Sequence, residues 1–168
     1  MLSLAACAAP VADSGEPGSE RLVDAEAWQL VDDPDDPFGD RTGEGECRGA
    51  GYHAEGSVFE VETVDCPYAT FVQTAGHAIA AGSVVEVSAW HLDLVAATPA
   101  TGHLAVRMGG VVGEVRPAIP GDSAAYTLAL ALDQSVAVGD PIFFHVHNHG
   151  SNSWTLGAFR VSPPSEAR

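Results

Sequence analysis

Three histidines at alternate positions near the C-terminal end are the residues best suited to chemistry: His145, His147 and His149. Successive side chains of an extended strand point to opposite faces, so the three imidazoles share one face and the alternating apolar residues of 142–146 share the other. We therefore predict a strand over residues 142–149. Its apolar face belongs in a core, and its imidazole face must be solvated, paired or metallated, since an unpaired buried imidazole is costly.

A copper or zinc site is one use of this face. Neighbouring imidazoles on one face have Cα atoms about 6.6 Å apart, and from there both rings reach one ion with metal–nitrogen bonds of about 2.0 Å. Three imidazoles in a straight row do not reach the same ion, so further ligands must come from upstream in the chain. The predicted metal ligands are His145, His147, His91 and His103.

Two other uses of the strand stay open. The face can bind a polysaccharide or a small molecule, with a predicted contact set of His145, His147, His149, Asn148, Asn152 and Trp154. Alternatively, the histidines are structural and form hydrogen bonds with Asn148, Asn152 or the backbone. Trp154 and Trp90 each suit either a core position or a platform on which a sugar stacks.

The run from Phe144 to His147, followed after two residues by Gly150 and Ser151, resembles the copper-binding signature of copper/zinc superoxide dismutases. That family is a β-sandwich and places its remaining ligand histidines and an aspartate downstream of this signature. Here no histidine follows His149. The resemblance therefore implies a local copper or zinc site and does not extend to dismutase activity.

The upstream histidines differ in their expected positions. His91 has the same alternation as Val85, Val87 and Ala89, so an undistorted strand buries it, and it then needs a hydrogen-bond partner. His103 follows Gly102 and is predicted to lie in a loop before its strand.

Residues 32–40 contain five carboxylates in nine positions, Asp32, Asp33, Asp35, Asp36 and Asp40. Oxygen ligands at this density are typical of a calcium site, although their spacing differs from that of an EF-hand loop. Two prolines and the mutual repulsion of the carboxylates favour a solvated, extended acidic loop.

The charge balance excludes some partners. The chain of 168 residues has a net charge of -16, seven arginines and no lysine. Without a basic patch or stripe, nucleic acids and anionic membrane surfaces are poor partners. The length suits one domain with a tail.

Cys47 and Cys66 lie 19 positions apart and flank a predicted strand. An exported protein can oxidise such a pair, so we predict a disulfide between them, with two buried free thiols as the alternative.

The N-terminal residues Leu4, Ala5, Ala6 and Cys7 resemble the lipobox of bacterial lipoproteins, in which the cysteine receives a lipid. The resemblance implies export and a lipid anchor at the cell envelope through Cys7. Only six residues precede that cysteine, so the true start is expected upstream; a stray cysteine in a disordered N-terminus is the alternative.

Residues 1–7 are interpreted as a truncated signal peptide and residues 8–46 as an acidic flexible linker. One short ordered element, either a helix capped by Ser19 or a strand, is expected within residues 21–31.

From Ser57 onward, eight short alternating runs are separated by Gly, Pro and Asp turns. This spacing predicts an all-β chain that folds as a single β-sandwich of about eight antiparallel strands over residues 47–163, with a C-terminal tail at 164–168. No hydrolase elbow, phosphate-binding loop or metalloprotease helix is present, so the chain is predicted to bind and not to catalyse.

The strand layout, the phrase Ala80-Ala81-Gly82-Ser83 before a strand, and Asn148, Asn152 and Trp154 near the end resemble the jelly-roll sandwiches of galactose-binding-like domains and carbohydrate-binding modules. The resemblance covers roughly residues 47–162 and implies a jelly-roll fold, with carbohydrate as one candidate ligand. A fold shared at this level does not establish a function.

Overall fold

The computed structural model of the protein describes residues 21–39 and 47–164. Cys7 and the predicted signal peptide lie outside these residues, as do Ser19, Asp40 and residues 165–168. None of the described residues belongs to a helix of the length and apolarity needed to cross a membrane.

The described chain consists of strands joined by turns, with two short 3₁₀ turns at Ala25–Ala27 and Asp33–Asp35. The strands are β1 (Gln29–Leu30), β2 (Tyr52–Glu55), β3 (Val58–Glu62), β4 (Tyr68–Thr74), β5 (Val84–His91), β6 (Ala100–Thr101), β7 (His103–Met108), β8 (Val111–Val115), β9 (Ala118–Ile119), β10 (Ala124–Ala131), β11 (Pro141–His147) and β12 (Ser153–Ser162).

Ten of these strands form two antiparallel sheets that pack face to face. Sheet A has the order β1-β4-β11-β7-β8, and sheet B has the order β10-β5-β12-β3-β2. The eight principal strands are β3, β4, β5, β7, β8, β10, β11 and β12. Numbered from one to eight, they follow the orders 2-7-4-5 in sheet A and 6-3-8-1 in sheet B. This is the double Greek key of a jelly roll, so the predicted all-β sandwich is confirmed.

The core lies between the inner faces of the two sheets. Alternation places Val85, Val87 and Ala89 of β5 inside, and all three are fully buried. Aromatic rings fill the region beneath β3, where the Phe59 and Phe71 ring centroids are 4.9 Å apart. Burial of side chains of this size contributes about 1.5–3 kcal/mol each. The apolar side chains packed between the two sheets therefore supply most of the stabilisation of the fold.

The segment 21–39 is part of the sandwich, which differs from the prediction of a flexible linker with order limited to 21–31. Leu22 and Trp28 enter the core. β1 pairs with the edge of β4. The 3₁₀ turn is capped by Asp24, whose carboxylate accepts a hydrogen bond from the Glu26 amide. Residues 21–39 are therefore held by the burial of apolar side chains and by pairing with the edge of sheet A, although their composition alone is typical of a flexible linker.

A disulfide joins Cys47 to Cys66, as predicted. It ties the start of the second described range to the turn between β3 and β4. Closing a loop of this length contributes about 3 kcal/mol in the chain-entropy model.

Candidate functional site

Strand β11 is extended as predicted, but it ends at His147, so His149 lies in the bend that follows and not on the strand. The strand lies in the middle of sheet A, between β4 and β7. Its imidazoles point away from sheet B, opposite to the core residues Phe144 and Val146. They are nevertheless buried: His145 has 0% and His147 8% of its surface exposed. The predicted alternation is correct, but the imidazole face is not an open surface.

The acidic segment around Asp33–Asp35 covers this face. The Phe38 ring stacks on the imidazole of His145, with centroids 4.5 Å apart and planes at 21°. Tyr68 closes the same imidazole from the side at 4.9 Å. Residues 32–39 are therefore not an extended solvated loop, because an aromatic side chain in the acidic run has a stacking partner on sheet A.

Asp36 connects this segment to the sheet. Its carboxylate accepts hydrogen bonds from the Tyr68 hydroxyl at 2.5 Å and from the Thr70 hydroxyl at 3.0 Å. It also accepts one from the backbone amide of Phe38 at 3.0 Å. The carboxylate of Asp36, one of the predicted calcium ligands, therefore already accepts hydrogen bonds from groups of the protein.

The hydroxyl of Thr70 also lies 2.8 Å from Nδ1 of His145. A hydroxyl has one proton, and that of Thr70 is donated to Asp36, so the Nδ1 of His145 carries the proton of this second bond. His145 is in this respect a structural histidine, although this hydrogen bond is made to Thr70 and not to the predicted Asn148, Asn152 or backbone.

His103 is the first residue of β7 and is buried, which differs from the predicted loop position. It lies across from His147 in the strand register and donates a hydrogen bond from Nε2 to Glu114 at 2.8 Å. Burial acts to raise the pKa of Glu114, but the hydrogen bond from His103 and the charge of Arg116 outweigh it and lower that pKa.

The four predicted metal ligands do not meet at one point. His91 belongs to β5 of sheet B and faces the interior, with Nδ1 2.7 Å from the Leu92 carbonyl and Nε2 2.9 Å from the Tyr126 hydroxyl. Its expected burial with a hydrogen-bond partner is correct. His103 and His145 are close, with ring centroids 4.9 Å apart, but they lie on the outer face of the other sheet. Geometry therefore separates His91 from the remaining three.

Among residues 21–39 and 47–164, three potential metal ligands come together in one place, at His53, Glu55 and Glu60 on the β2–β3 hairpin. One donor atom of each lies within 4.8 Å of the others. Sequence reasoning missed this cluster, although His53 and Glu55 have the two-residue spacing that puts side chains on one face of a strand.

The remaining predicted ligand contacts hold the loops at one end of the sandwich. Trp154 has 0% of its surface exposed and donates from its indole to the Asn148 side chain at 3.1 Å. Asn148 in turn donates to Thr63 at 2.8 Å, and Asn152 accepts from the Val95 amide at 2.6 Å. These buried groups contact protein atoms, so the prediction that Asn148, Asn152 and Trp154 face a ligand does not fit their positions. The half-buried His149 packs at 5.0 Å from His147.

A cleft of about 680 Å³ opens on another part of the molecule. It forms because β12 is longer than its neighbour: pairing with β3 ends at Leu156, whereas β12 continues to Ser162 beside β5. The register with β5 shifts between Leu156 and Phe159, which marks a bulge. Such bulges are frequent next to binding sites.

The N-terminal segment forms another wall of the cleft. The Gly76 amide donates to the Leu22 carbonyl at 2.9 Å. A Cβ atom at position 76 would collide with the Arg21 carbonyl, so glycine is required for this close approach. The cleft is lined by Arg21, Leu22, Val23, Ala25, Trp28, Ser57, Phe59, His77, Leu156, Gly157, Ala158, Phe159, Arg160 and Val161.

This lining combines aromatic rings with guanidinium, imidazole and hydroxyl groups. Its volume lies within the range of about 300–1,000 Å³ that is usual for ligand sites. No sequence motif predicts it, because its walls come from parts of the chain that are far apart. The return of apolar residues at Leu22, Val23 and Trp28 after the polar N-terminal stretch was the only available signal.

No protein-family model matches the chain, and no curated protein matches its sequence. Solved structures with a similar fold include that of PfGH50B, with a TM-score of 0.37 and 10% sequence identity. The match covers 68% of this chain and 21% of the PfGH50B chain. A family 61 carbohydrate-binding module in complex with β-1,4-galactotriose has a TM-score of 0.41 and 11% identity, over 83% of this chain and 90% of the other.

A family 4 carbohydrate-binding module has a TM-score of 0.39 and 11% identity, over 83% and 88% of the two chains. The chain spans about a fifth of the length of the PfGH50B structure. Likeness at these scores identifies neither a family nor a ligand.

Proposed function

We propose that this chain is a non-catalytic binding module whose ligand is a carbohydrate and whose site is the cleft beside β12. The observation that carries the proposal is the lining of that cleft. Sugars combine apolar C–H faces, which pack on aromatic rings, with hydroxyl groups that hydrogen-bond to polar side chains. The half-buried Phe159 supplies the accessible ring, the largely buried Trp28 forms part of the wall, and Ser57, His77 and Arg160 supply the polar groups.

The same lining argues against glycoside hydrolysis. That reaction requires two carboxyl groups on either side of the scissile bond. None of the described residues that line the cleft is an aspartate or a glutamate. A sugar in this cleft would be held without the groups needed to cleave it.

The test is binding of the purified protein to a panel of neutral and acidic oligosaccharides by isothermal titration calorimetry. Ala158→Trp fills the cleft from an exposed position that carries no core contact, and we expect it to weaken binding at least about tenfold, since a blocked site loses more than 1.4 kcal/mol of affinity. Ala129→Trp is the matched control, because Ala129 is exposed on β10 of the same sheet and outside the cleft. A protein that binds no member of the panel, or an Ala158→Trp variant with full affinity, contradicts the proposal.

We also propose that the module is exported and anchored through a lipid on Cys7. The lipobox-like residues 4–7 support this, and so does the disulfide, since such bonds persist in oxidising compartments.

A further inference from the structure

The cleft has a charge that is opposite to that of the whole chain. The sequence holds 23 acidic residues against seven arginines and no lysine. Two of the five arginines within the described ranges, Arg21 and Arg160, line this one cleft together with His77. Among those same residues, the lining contains no carboxylate.

The two guanidinium groups are not engaged by the described protein. Arg116 pairs with Glu114 at 3.3 Å, and Arg107 donates to the Pro37 carbonyl. By contrast, no described residue forms an ion pair or a side-chain hydrogen bond with Arg21 or Arg160. Their donors remain available to a molecule that enters the cleft.

The imidazole of His77 adds a second observation. Its Nδ1 atom is buried and has no hydrogen-bond partner within the described ranges. A buried polar atom without a partner costs about 1–3 kcal/mol, so the described protein leaves the hydrogen bonding of this cleft-lining imidazole incomplete.

Neighbouring acids do not cancel this arrangement. Asp24 and Glu26 belong to the same segment as Arg21 but do not line the cleft, and the Asp24 carboxylate is used to cap the 3₁₀ turn. Glu86 is paired directly with Arg160 in the register of β5 with β12, so the two side chains are neighbours on one face of sheet B. Glu86 does not line the cleft, and among the described residues it forms no ion pair with Arg160.

We infer that the cleft selects an acidic carbohydrate, one that bears carboxylate or sulfate groups; this inference rests on the proposed carbohydrate function. A planar guanidinium fits such groups with two parallel hydrogen bonds, and charge-assisted bonds are about twice as strong as neutral ones. Phe159 packs against the sugar ring while the arginines hold its charge. A chain of charge -16 repels anions elsewhere on its surface, which restricts their binding to this cleft.

The experiment compares ligands that differ only in charge. Oligogalacturonate of defined length is titrated against its methyl-esterified form, and a sulfated galactan oligosaccharide against its desulfated form, at 50 and 500 mM NaCl. We expect at least about tenfold tighter binding of the charged member of one pair at low salt, and a smaller difference at high salt because exposed charges are screened.

Arg160→Gln and Arg21→Gln should each reduce the preference for the charged ligand over its neutral counterpart about tenfold, because each variant loses a charge-assisted hydrogen bond and keeps only a neutral amide. Arg116→Gln is the control, since Arg116 lies on sheet A beside Glu114 and outside the cleft. Circular dichroism verifies that the variants are folded.

The outcomes separate the two proposals. Equal affinity for the charged and neutral members of both pairs overturns the acidic ligand and keeps the carbohydrate function. Absence of binding to every oligosaccharide overturns both. A preference for charge that survives in both arginine variants overturns the assignment to this cleft.

Discussion

Glu60 and Glu62 lie on the same face of β3, and their carboxylates interact. Burial raises the pKa of Glu60, and the hydrogen bond to Glu62 and its negative charge raise it further. His53 and Ser153 lower it in part. The folded protein therefore holds a proton on Glu60 more tightly than the unfolded chain does, so folding stability falls as the pH rises through the range just above the ordinary glutamate pKa.

We predict that Glu60→Gln stabilises the protein at pH 7 by roughly 0.2–1 kcal/mol, because it removes a repulsion between like charges on one sheet face. At pH 3 the carboxyl is protonated in both states, so the gain should vanish. Urea denaturation at the two pH values measures this. Glu86→Gln controls for the loss of one negative charge from a strongly acidic chain; a pH-dependent gain of the same size there would refute the explanation.

At the scale of elements, the most informative feature is the docking of residues 32–39 on sheet A. Two hydrogen bonds from β4 to the Asp36 carboxylate and the stacking of Phe38 on His145 hold the segment on the sheet. Both partners on β4, Tyr68 and Thr70, are buried. Removal of the carboxylate leaves their hydroxyl groups without this acceptor.

Asp36→Ala is expected to destabilise the fold by about 1–3 kcal/mol, the cost of leaving a buried donor unsatisfied. It should also make the imidazole of His145 reactive towards diethyl pyrocarbonate, which mass spectrometry detects. Asp35→Ala is the matched control, since Asp35 is an exposed carboxylate one position earlier. If the two variants have the same stability and the same modification pattern, the segment is not held by Asp36.

Strands such as β3, β5 and β10 could be predicted because each shows its own alternation of apolar and polar residues, a signal that is read without knowing the partner strand. The histidine strand is an example: the faces of His145 and Phe144 follow from parity alone. The docking of residues 32–39 over that face could not be predicted. The Asp36 carboxylate is 32 residues from its donor Tyr68 and 34 residues from its donor Thr70, and no local pattern connects positions so far apart. The cleft could not be predicted either, since it results from the unequal lengths of β3 and β12.

At the scale of the whole molecule, the jelly roll is closed by its last principal strand. β12 lies between β3, the first principal strand, and β5. Contacts between parts of the chain this distant in sequence form late and are typical of slow-folding β-sandwiches. A disulfide that restrains the segment from Cys47 to Cys66 reduces the conformational freedom lost when β3 is placed.

The proposed anchor is tested on the full chain expressed in a bacterial host behind a known lipoprotein signal sequence that is fused upstream of Cys7. We predict that the protein is recovered in the membrane fraction and is labelled by an alkyne fatty acid. Cys7→Ser should abolish the label and move essentially all of the protein to the soluble fraction, because the anchor is its only predicted membrane attachment. A wild-type protein that is not labelled would contradict the proposed lipidation of Cys7.

Arg21 opens the described chain, Val161 lies close to its other end, and both line the cleft. Dyes coupled at these two positions would lie on either side of a bound glycan, so energy transfer between them offers a direct optical sensor of occupancy. A bulky label attached at either of these two positions would instead shield the opening. Immobilised assays of this protein are therefore best coupled through an engineered side chain on the opposite surface of the sandwich.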